Sequence, residues 1–590
     1  MDCARRAGIG LVSICGGHGT CKACKVRVIE GKVSPPSRTE TELFSSTQLE
    51  DGWRLACLTY PLGDSTIFLP VESLTTIQRA QTECAKVSVS LDPAVKTVPI
   101  KLSPPSLVDS RSDASRLLQG LDQQGVSCDR VDFDILKSLA SRMRELNWEF
   151  QVSVTDGEVV DLSTVSTRRL GLAVDLGTTK IAAYLADLTT GEILCAKGAI
   201  NPQVSYGEDI TSRITNALRS KEAAASLQDC VTNAIGDLAD TLCQLAGVEL
   251  KDIVDCVIVG NTAMHHLVLG LPVKPLAFSP FVAVTQNSVD IKARQIGLHL
   301  APAASLHLLP NVTGFVGADH VAMLLAIKAV EIRQTTLAID IGTNTEVSLI
   351  REGQIIAASC ASGPAFEGAH IKYGMRAASG AIERLSIVNQ VISYQTIENA
   401  PPVGLCGSGI IDALAQLYLS GTVEDNGRIA PGSPYARETE NQFEVLLVPA
   451  TDRNPAITLT QNDIREIQLA KGAIRAGIQI LLQKSGCTEE EIEHVIIAGA
   501  FGTYVDVSSA IDIGMFPVLP LERFSQVGNA AGLGAQMALL SLKERSQAAE
   551  LASRVKYVEL AVVPSFMRTF VQSNYLGRFR IVNGKRKGYN

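Results

Sequence analysis

Four cysteines near the start of the chain are spaced as ligands of a metal cluster. Cys15, Cys21 and Cys24 follow a C-x5-C-x2-C pattern, and 32 residues separate Cys24 from Cys57. Three thiolates on one glycine-rich loop and a fourth from a distant segment suit a [2Fe–2S] cluster. Zinc is the alternative at this stage, although zinc sites more often present two separated cysteine pairs.

Two similar segments further along the chain have the composition of phosphate-binding turns. Asp175–Lys180 (DLGTTK) and Asp340–Glu346 (DIGTNTE) each follow an apolar run. Backbone N–H groups of such a turn can surround phosphate oxygens, and an aspartate at the strand end can face a hydrated Mg²⁺. We therefore expect Asp175 and Asp340 to face the metal ion. The expected phosphate contacts are Gly177, Thr178, Thr179, Lys180, Gly342, Thr343 and Asn344.

Two glutamates are candidates for positioning an attacking water molecule. Phosphoryl transfer needs mainly positioning and charge neutralisation, so one carboxylate near the terminal phosphate is enough. Glu346 and Glu367 fit that role, and each could equally be a helix cap or a surface group. Cys406–Gly409 precedes an expected helix and either offers N–H groups to an anion or forms a hinge between lobes.

The phosphate-binding segments belong to an internal duplication. Leu172–Tyr184 is similar to Leu337–Leu349, and a second apolar strand follows in each half, at Cys256–Asn261 and His494–Gly499. Two halves with the same elements in the same order predict two similar lobes. A nucleotide would then bind between them.

Length and composition exclude several classes of protein. The chain has 590 residues, of which 46% are hydrophobic, and this suggests about four compact units. A net charge of −8 argues against general nucleic-acid binding. The sequence contains no run of 18 apolar residues, so it predicts no membrane-spanning helix. The 14 cysteines are scattered through a large chain, which favours thiols in a reducing cytoplasm over a disulfide framework.

Three motifs resemble known families. The cysteine loop, together with Arg54–Cys57 (RLAC), resembles a ferredoxin of the adrenodoxin spacing class. The paired DxGT segments resemble the phosphate motifs of the actin, sugar-kinase and Hsp70 superfamily. Ile496–Tyr504 resembles the adenosine motif of that superfamily, and Gly528–Gly534 its second connecting helix. The resemblance implies nucleotide contacts from Gly499, Gly502, Gly528 and Asn529.

The combination of these motifs in one chain resembles the reductive activators of corrinoid proteins. The resemblance implies ATP-dependent transfer of one electron from a [2Fe–2S] cluster to cobalt(II), which regenerates cobalt(I) for methyl transfer. The implied cofactors are the cluster, ATP and Mg²⁺. The implied partners are a corrinoid protein of a methyltransferase system and an external low-potential electron donor, in the cytoplasm. A homodimer is left open.

The expected fold is a multi-domain α/β architecture. It comprises a β-grasp ferredoxin domain at 1–74, a linker at 75–100, a small α/β domain at 101–168, and actin-like lobes with duplicated elements at 169–336 and 337–590. In the small domain, apolar spacing predicts a helix over Ile135–Leu146, and Asp156-Gly157 predicts a hairpin turn. A β-grasp ferredoxin normally opens with a hairpin, whereas this sequence opens in what resembles the following helix.

Three rival functions remain at this point. An ATP-driven activator of another low-potential metalloenzyme would share the ATPase fold but would not need the ferredoxin cysteines. A small-molecule kinase would have no use for a ferredoxin domain. The third rival is a redox sensor that binds ATP without turnover. An ATPase assay with and without a corrinoid partner distinguishes such a sensor from a reductive activator of corrinoid proteins.

Overall fold

The computed structural model describes residues 3–4, 24–70, 89–439, 443–451, 455–499 and 501–579. In the first region, three antiparallel strands form a small sheet in the order β2-β1-β3. The elements are β1 (Lys25–Val33), α1 (Arg38–Leu43), α2 (Ser46–Glu50), β2 (Trp53–Leu55) and β3 (Pro61–Phe68). Val26, Phe44 and Leu55 form the centre of its core.

A small α/β domain follows, with a four-stranded sheet in the order β4-β6-β7-β5. Its elements are β4 (Lys96–Lys101), α3 (Asp113–Gln123), β5 (Arg130–Val131), α4 (Phe133–Glu145), β6 (Glu149–Thr155) and β7 (Glu158–Ser163). The predicted helix is confirmed, since α4 buries Ile135, Leu139 and Met143 on one face. The predicted hairpin turn is also confirmed, because Asp156 and Gly157 join β6 to β7 with positive φ angles of 49° and 72°.

The first lobe is built on a six-stranded sheet in the order β10-β9-β8-β11-β13-β12. Its strands are β8 (Leu170–Leu176), β9 (Lys180–Asp187), β10 (Ile193–Ile200), β11 (Ile253–Gly260), β12 (Val289–Lys292) and β13 (Ser305–Leu308). Its helices are α5 (Ile210–Ala217), α6 (Lys221–Ala246), α7 (Thr262–Val268), α8 (Lys274–Ala277) and α9 (Ala318–Ala326).

The second lobe repeats this plan with a six-stranded sheet in the order β24-β23-β14-β15-β16-β25 and adds two three-stranded sheets. Its first strands are β14 (Thr336–Ile341), β15 (Thr345–Arg351), β16 (Gln354–Cys360), β17 (Ala381–Val388), β18 (Val391–Thr396) and β19 (Gly404–Leu405). The later strands are β20 (Ala436–Glu438), β21 (Phe443–Val448), β22 (Ile457–Thr460), β23 (His494–Ala498), β24 (Phe524–Gly528) and β25 (Val555–Tyr557). The helices of this part of the chain are α10 (Gly407–Leu419), α11 (Gln461–Ser485), α12 (Val507–Asp512), α13 (Ala530–Leu540), α14 (Leu542–Arg554) and α15 (Phe566–Ser573).

Strand pairing confirms the duplication. In the first lobe β8 pairs antiparallel with β9 and parallel with β11, and in the second lobe β14 pairs antiparallel with β15 and parallel with β23. The two aspartates therefore occupy equivalent positions: Asp175 pairs with β11 in the first lobe, and Asp340 pairs with β23 in the second. Helix α13 follows a strand of the second lobe but packs on α9, β8 and β11 of the first. Among the described residues, no helix has the length and apolar character needed to cross a membrane.

Candidate functional site

The two glycine-threonine hairpins meet across a cleft between the lobes. The hydroxyl oxygens of Thr179 and Thr343 lie 3.3 Å apart, although 164 residues separate them in the chain. The cleft has a volume of about 250 Å³. It is lined by most of the residues expected from the sequence, namely Asp175, Gly177, Thr178, Thr179, Lys180, Asp340, Gly342, Thr343, Asn344, Glu346, Glu367, Gly499 and Asn529.

The first hairpin is held in shape by residues that the sequence motifs did not indicate. A Cβ on Gly177 would lie 2.7 Å from the Lys180 carbonyl oxygen, so the turn requires glycine. The fully buried Arg213 guanidinium donates to the carbonyl oxygens of Thr178 and Gly207, the latter at 2.7 Å, and Asn261 donates to the Thr178 hydroxyl at 2.9 Å. Burial lowers the pKa of Arg213 to about 9, so the guanidinium stays charged at neutral pH.

Three half-buried aspartates and the buried Glu346 form a group of carboxyl groups in the cleft, and one of the aspartates was not predicted. Burial raises the pKa of Asp175 to about 6, partly offset by a hydrogen bond from Asn529. Burial, reinforced by the charges of Asp319 and Asp175, raises the pKa of Asp340 to about 8. Burial and the charges of Asp319 and Asp340 also raise the pKa of Glu346 well above its usual value. Asp319, in the first turn of α9, belongs to no motif, and only its position after the glycine at the start of a helix could have indicated it.

This carboxyl group cluster fits a hydrated divalent cation. Asp319, Asp340 and Glu346 are each destabilised as anions by neighbouring carboxylates, and a cation between them would relieve that repulsion. Within the described residues, no three His, Cys, Asp or Glu side chains converge closely enough to hold a metal directly. Mg²⁺ characteristically keeps several water ligands, so contacts through water from Asp175 and Asp340 agree with this spacing.

Of the two glutamates expected to position water, Glu367 is the one joined to a phosphate-binding turn. It ends a short 3₁₀ turn, Pro364–Glu367, and its carboxylate accepts a hydrogen bond of 2.6 Å from the Thr343 hydroxyl. Glu346 lies deeper in the second lobe and accepts a hydrogen bond of 3.1 Å from Ser359. Both line the cleft.

The glycines of the expected adenosine motif shape one end of the cleft. A Cβ on Gly499, where φ is +92°, would lie 2.5 Å from the Ile341 carbonyl oxygen. Gly499 also donates to the Gly528 carbonyl oxygen at 3.1 Å. Gly502 packs against the backbone of Ala498. Neither Gly502 nor Gly528 is among the residues that line the cleft, so their observed contacts support the loop below Gly499.

Two helices point their N-termini at the cleft. Asn529 caps α13 by accepting from Gly532 N–H at 2.8 Å, and its amide nitrogen donates to Asp175 at 2.9 Å. Cys406 precedes α10, which begins at Gly407, three residues before the helix expected from the sequence. A Cβ on Gly407 would lie 1.9 Å from the Phe366 carbonyl oxygen, so only glycine permits this close approach. Both helix starts can offer N–H groups to an anion.

The structure places two of the four candidate cluster ligands beside each other. Cys24 immediately precedes β1, where Lys25 pairs with Leu55, and its carbonyl oxygen accepts from Ala56 N–H at 2.8 Å. Cys57 is the next residue, so both cysteines lie at the same end of the small sheet. Cys15 and Cys21 lie outside the described residues. Two adjacent cysteines, one buried and one half-buried, fit the thiolate donors that a [2Fe–2S] cluster needs.

Models of protein families match successive parts of the chain. Residues 1–62 match the 2Fe-2S iron-sulfur cluster binding domain, and residues 85–169 match the RACo linker region. Residues 170–331 match the RACo middle region. Residues 334–581 match the C-terminal domain of RACo, described as the ASKHA domain.

Individual proteins are similar over most of the chain. The corrinoid activation enzyme RamQ of Eubacterium limosum is 30% identical over 98% of this chain and 96% of its own length. The [Co(II) methylated amine-specific corrinoid protein] reductase of Methanosarcina barkeri is 24% identical over 67% of this chain and 74% of its own. A solved structure, titled reductive activator for corrinoid,iron-sulfur protein, is 35% identical, covers 98% of this chain and 95% of its own, and has a TM-score of 0.75.

Proposed function

The chain belongs to the family of reductive activators of corrinoid proteins, and we propose that it couples ATP to the reduction of a cobalt(II) corrinoid protein to cobalt(I). The observation that carries the ATP part is the contact between the two hairpins, where Thr179 and Thr343 meet at 3.3 Å. Two turns of this kind, facing each other across a cleft between duplicated lobes, can enclose a chain of phosphates from both sides.

Different residues of the cleft bind the nucleotide and promote its hydrolysis. The N–H groups of the two turns bind phosphate oxygens, and Lys180 neutralises their charge. Asp175 and Asp340 orient a hydrated Mg²⁺, which supplies charge neutralisation when it is bound. Glu367 positions the attacking water, because its carboxylate is already fixed beside the second phosphate-binding turn by Thr343. The loop that contains Gly499 contacts the nucleoside part of ATP.

The electron path begins in the N-terminal region. Cys15, Cys21, Cys24 and Cys57 hold a [2Fe–2S] cluster, which supplies a one-electron carrier when bound. Clusters of the plant type have potentials near about −400 mV. Transfer to a cobalt centre of lower potential is uphill, and each ~59 mV against the gradient shifts a one-electron equilibrium about tenfold. Nucleotide binding or hydrolysis can offset this by changing which conformation of the complex is populated.

The test is reduction of a cobalt(II) corrinoid protein by the full chain with its cluster and a low-potential donor. Formation of cobalt(I), followed by absorption, is expected only with both ATP and the cluster present, whereas the cluster itself accepts electrons without ATP. Equal cobalt(I) formation with and without ATP would contradict the coupling. ATP binding without hydrolysis, both with and without a corrinoid partner, would favour the rival sensor function.

A further inference from the structure

An arginine of the second lobe reaches across the cleft and is only partly paired. The side chain of Arg376 is 14% exposed, and its Nη2 lies 4.0 Å from a carboxylate oxygen of Glu208 in the first lobe. Its Nη1 is buried and has no hydrogen-bond partner among the described residues. A buried guanidinium N–H without an acceptor is costly, so its environment is incomplete without a further acceptor.

The loop that carries Arg376 is anchored firmly to the second lobe. Met375 N–H donates to the Leu405 carbonyl oxygen at 2.8 Å, directly before the start of α10. Glu367 lies at the other end of this loop. A Cβ on Gly368 would lie 2.5 Å from the Met375 nitrogen, so the two ends of the loop pack closely together. The position of Arg376 is therefore tied to that of Glu367.

The partner, Glu208, is connected to the opposite phosphate-binding turn. Its neighbour Asp209 caps α5 by accepting from Ser212 N–H at 2.7 Å, and α5 carries Arg213, which holds the Thr178 carbonyl oxygen. Burial raises the pKa of Glu208 to about 7, an effect that the positive charge of Arg376 opposes. At 4.0 Å the ion pair is loose, so it is easily exchanged for a stronger anion.

We propose that Arg376 binds the terminal phosphate of ATP and exchanges Glu208 for it, so that the second lobe distinguishes ATP from ADP. This inference rests on the proposed ATP function. The unpaired Nη1 and the adjacent Nη2 form the fork that binds phosphate through two parallel hydrogen bonds. Arg376 shares its part of the cleft with Lys180 and Glu367, whose charges act on one another. When the terminal phosphate leaves, Glu208 is again the available acceptor.

The test compares the affinities of the full chain for Mg-AMP-PNP and Mg-ADP, measured by calorimetry. In Arg376→Gln, affinity for AMP-PNP should fall about 10- to 100-fold, the loss expected for charge-assisted hydrogen bonds, while affinity for ADP should change less than about threefold. Arg376→Lys should give an intermediate loss, because it keeps the charge without the fork. Arg384→Gln is the matched control, since this cation of the second lobe pairs with Asp506 at 3.3 Å and does not line the cleft.

A further variant tests the exchange itself. Glu208→Gln should raise the affinity for AMP-PNP, because it removes the anion that competes for Arg376. An equal loss of both nucleotides in Arg376→Gln, or no loss of either, would overturn the proposal, and so would weaker AMP-PNP binding in Glu208→Gln. If the unmodified chain binds neither nucleotide, the proposed ATP function fails as well, and this outcome is distinct from failure at Arg376 alone. Far-UV circular dichroism and a thermal unfolding midpoint equal to that of the unmodified chain confirm that the lobes of each variant are folded.

Discussion

Replacement of Glu40 by glutamine should weaken the part of the chain that carries Cys24 and Cys57. Glu40 is fully buried and binds the strand that leads to Cys57. Its carboxylate accepts from Arg54 Nε at 3.0 Å, from Leu55 N–H at 2.9 Å and from the Thr59 hydroxyl at 3.2 Å. Glutamine would replace one accepting oxygen by a donor and would leave the Arg54 guanidinium without its charged partner.

The size of this effect follows from the pKa of Glu40. Burial alone would raise that pKa, but hydrogen bonds from Arg54, Leu55 and Ser37 lower it from 4.5 to about 2. With screening by nearby solvent, the difference corresponds to about 2–3 kcal/mol at neutral pH. Because the folded-state pKa is the lower one, this stability is complete above about pH 4.5 and is lost as the pH falls towards 2.

The assay is thermal loss of the cluster's visible absorption, which reports on this region alone. At about 4–8 °C per kcal/mol for a small domain, Glu40→Gln should lower the midpoint by roughly 10–20 °C at pH 7. Glu42→Gln is the matched control, because Glu42 lies in the same helix in an exposed pair with Arg38. A midpoint for Glu40→Gln within about 3 °C of the control would refute this reasoning, since a difference that small corresponds to less than about 1 kcal/mol.

Three further outcomes are expected. Asp175→Asn and Asp340→Asn should each reduce Mg-ATP hydrolysis at least about 100-fold with an unchanged cluster spectrum, since positioned charge dominates phosphoryl transfer; normal hydrolysis in the double variant would place the nucleotide elsewhere. Cys57→Ser should abolish or distort the visible spectrum and Cys128→Ser should not, with two irons per chain; four irons or stoichiometric zinc would contradict the assignment. Asn529→Ala should lower the free energy of unfolding by about 1–2 kcal/mol through loss of the helix cap and weaken nucleotide binding, as checked by denaturant titration and calorimetry.

The repeated hairpins were predictable from the sequence because their structure depends on local chemistry. A turn such as Gly177–Lys180 needs glycine and small hydroxyl residues in a fixed order, so its composition alone identifies it, and a second copy removes the ambiguity of a single match. The same reasoning correctly located the strand pairs, and it predicted the helix after Cys406 with a start three residues too late. In each case the information lies within about fifteen consecutive residues.

The residues that sequence reasoning missed act through contacts between distant segments. Asp319, Arg213 and Arg376 stand in no motif, and a lone buried charge has no periodic pattern to reveal it. Arg213 becomes recognisable only when folding brings it to Thr178, 35 residues earlier in the chain. Arg376 becomes recognisable only when the lobes place it opposite Glu208. The roles of such residues can therefore be identified only from the contacts that they make in the folded cleft.

Helix α13 connects the nucleotide cleft to the segment that leads into the small α/β domain. At its first end, Asn529 holds Asp175 at 2.9 Å. At its far end, the Leu540 carbonyl oxygen accepts from Asp92 N–H at 3.0 Å, and Leu542 N–H donates to the Asp92 carbonyl oxygen at 2.8 Å. In the middle, a Cβ on Gly534 would lie 2.0 Å from the carbonyl oxygen of Ala322 in α9, the helix that begins beside Asp319. A continuous series of close contacts therefore joins the carboxyl groups of the cleft to Asp92, which precedes the small domain on the side of the ferredoxin region.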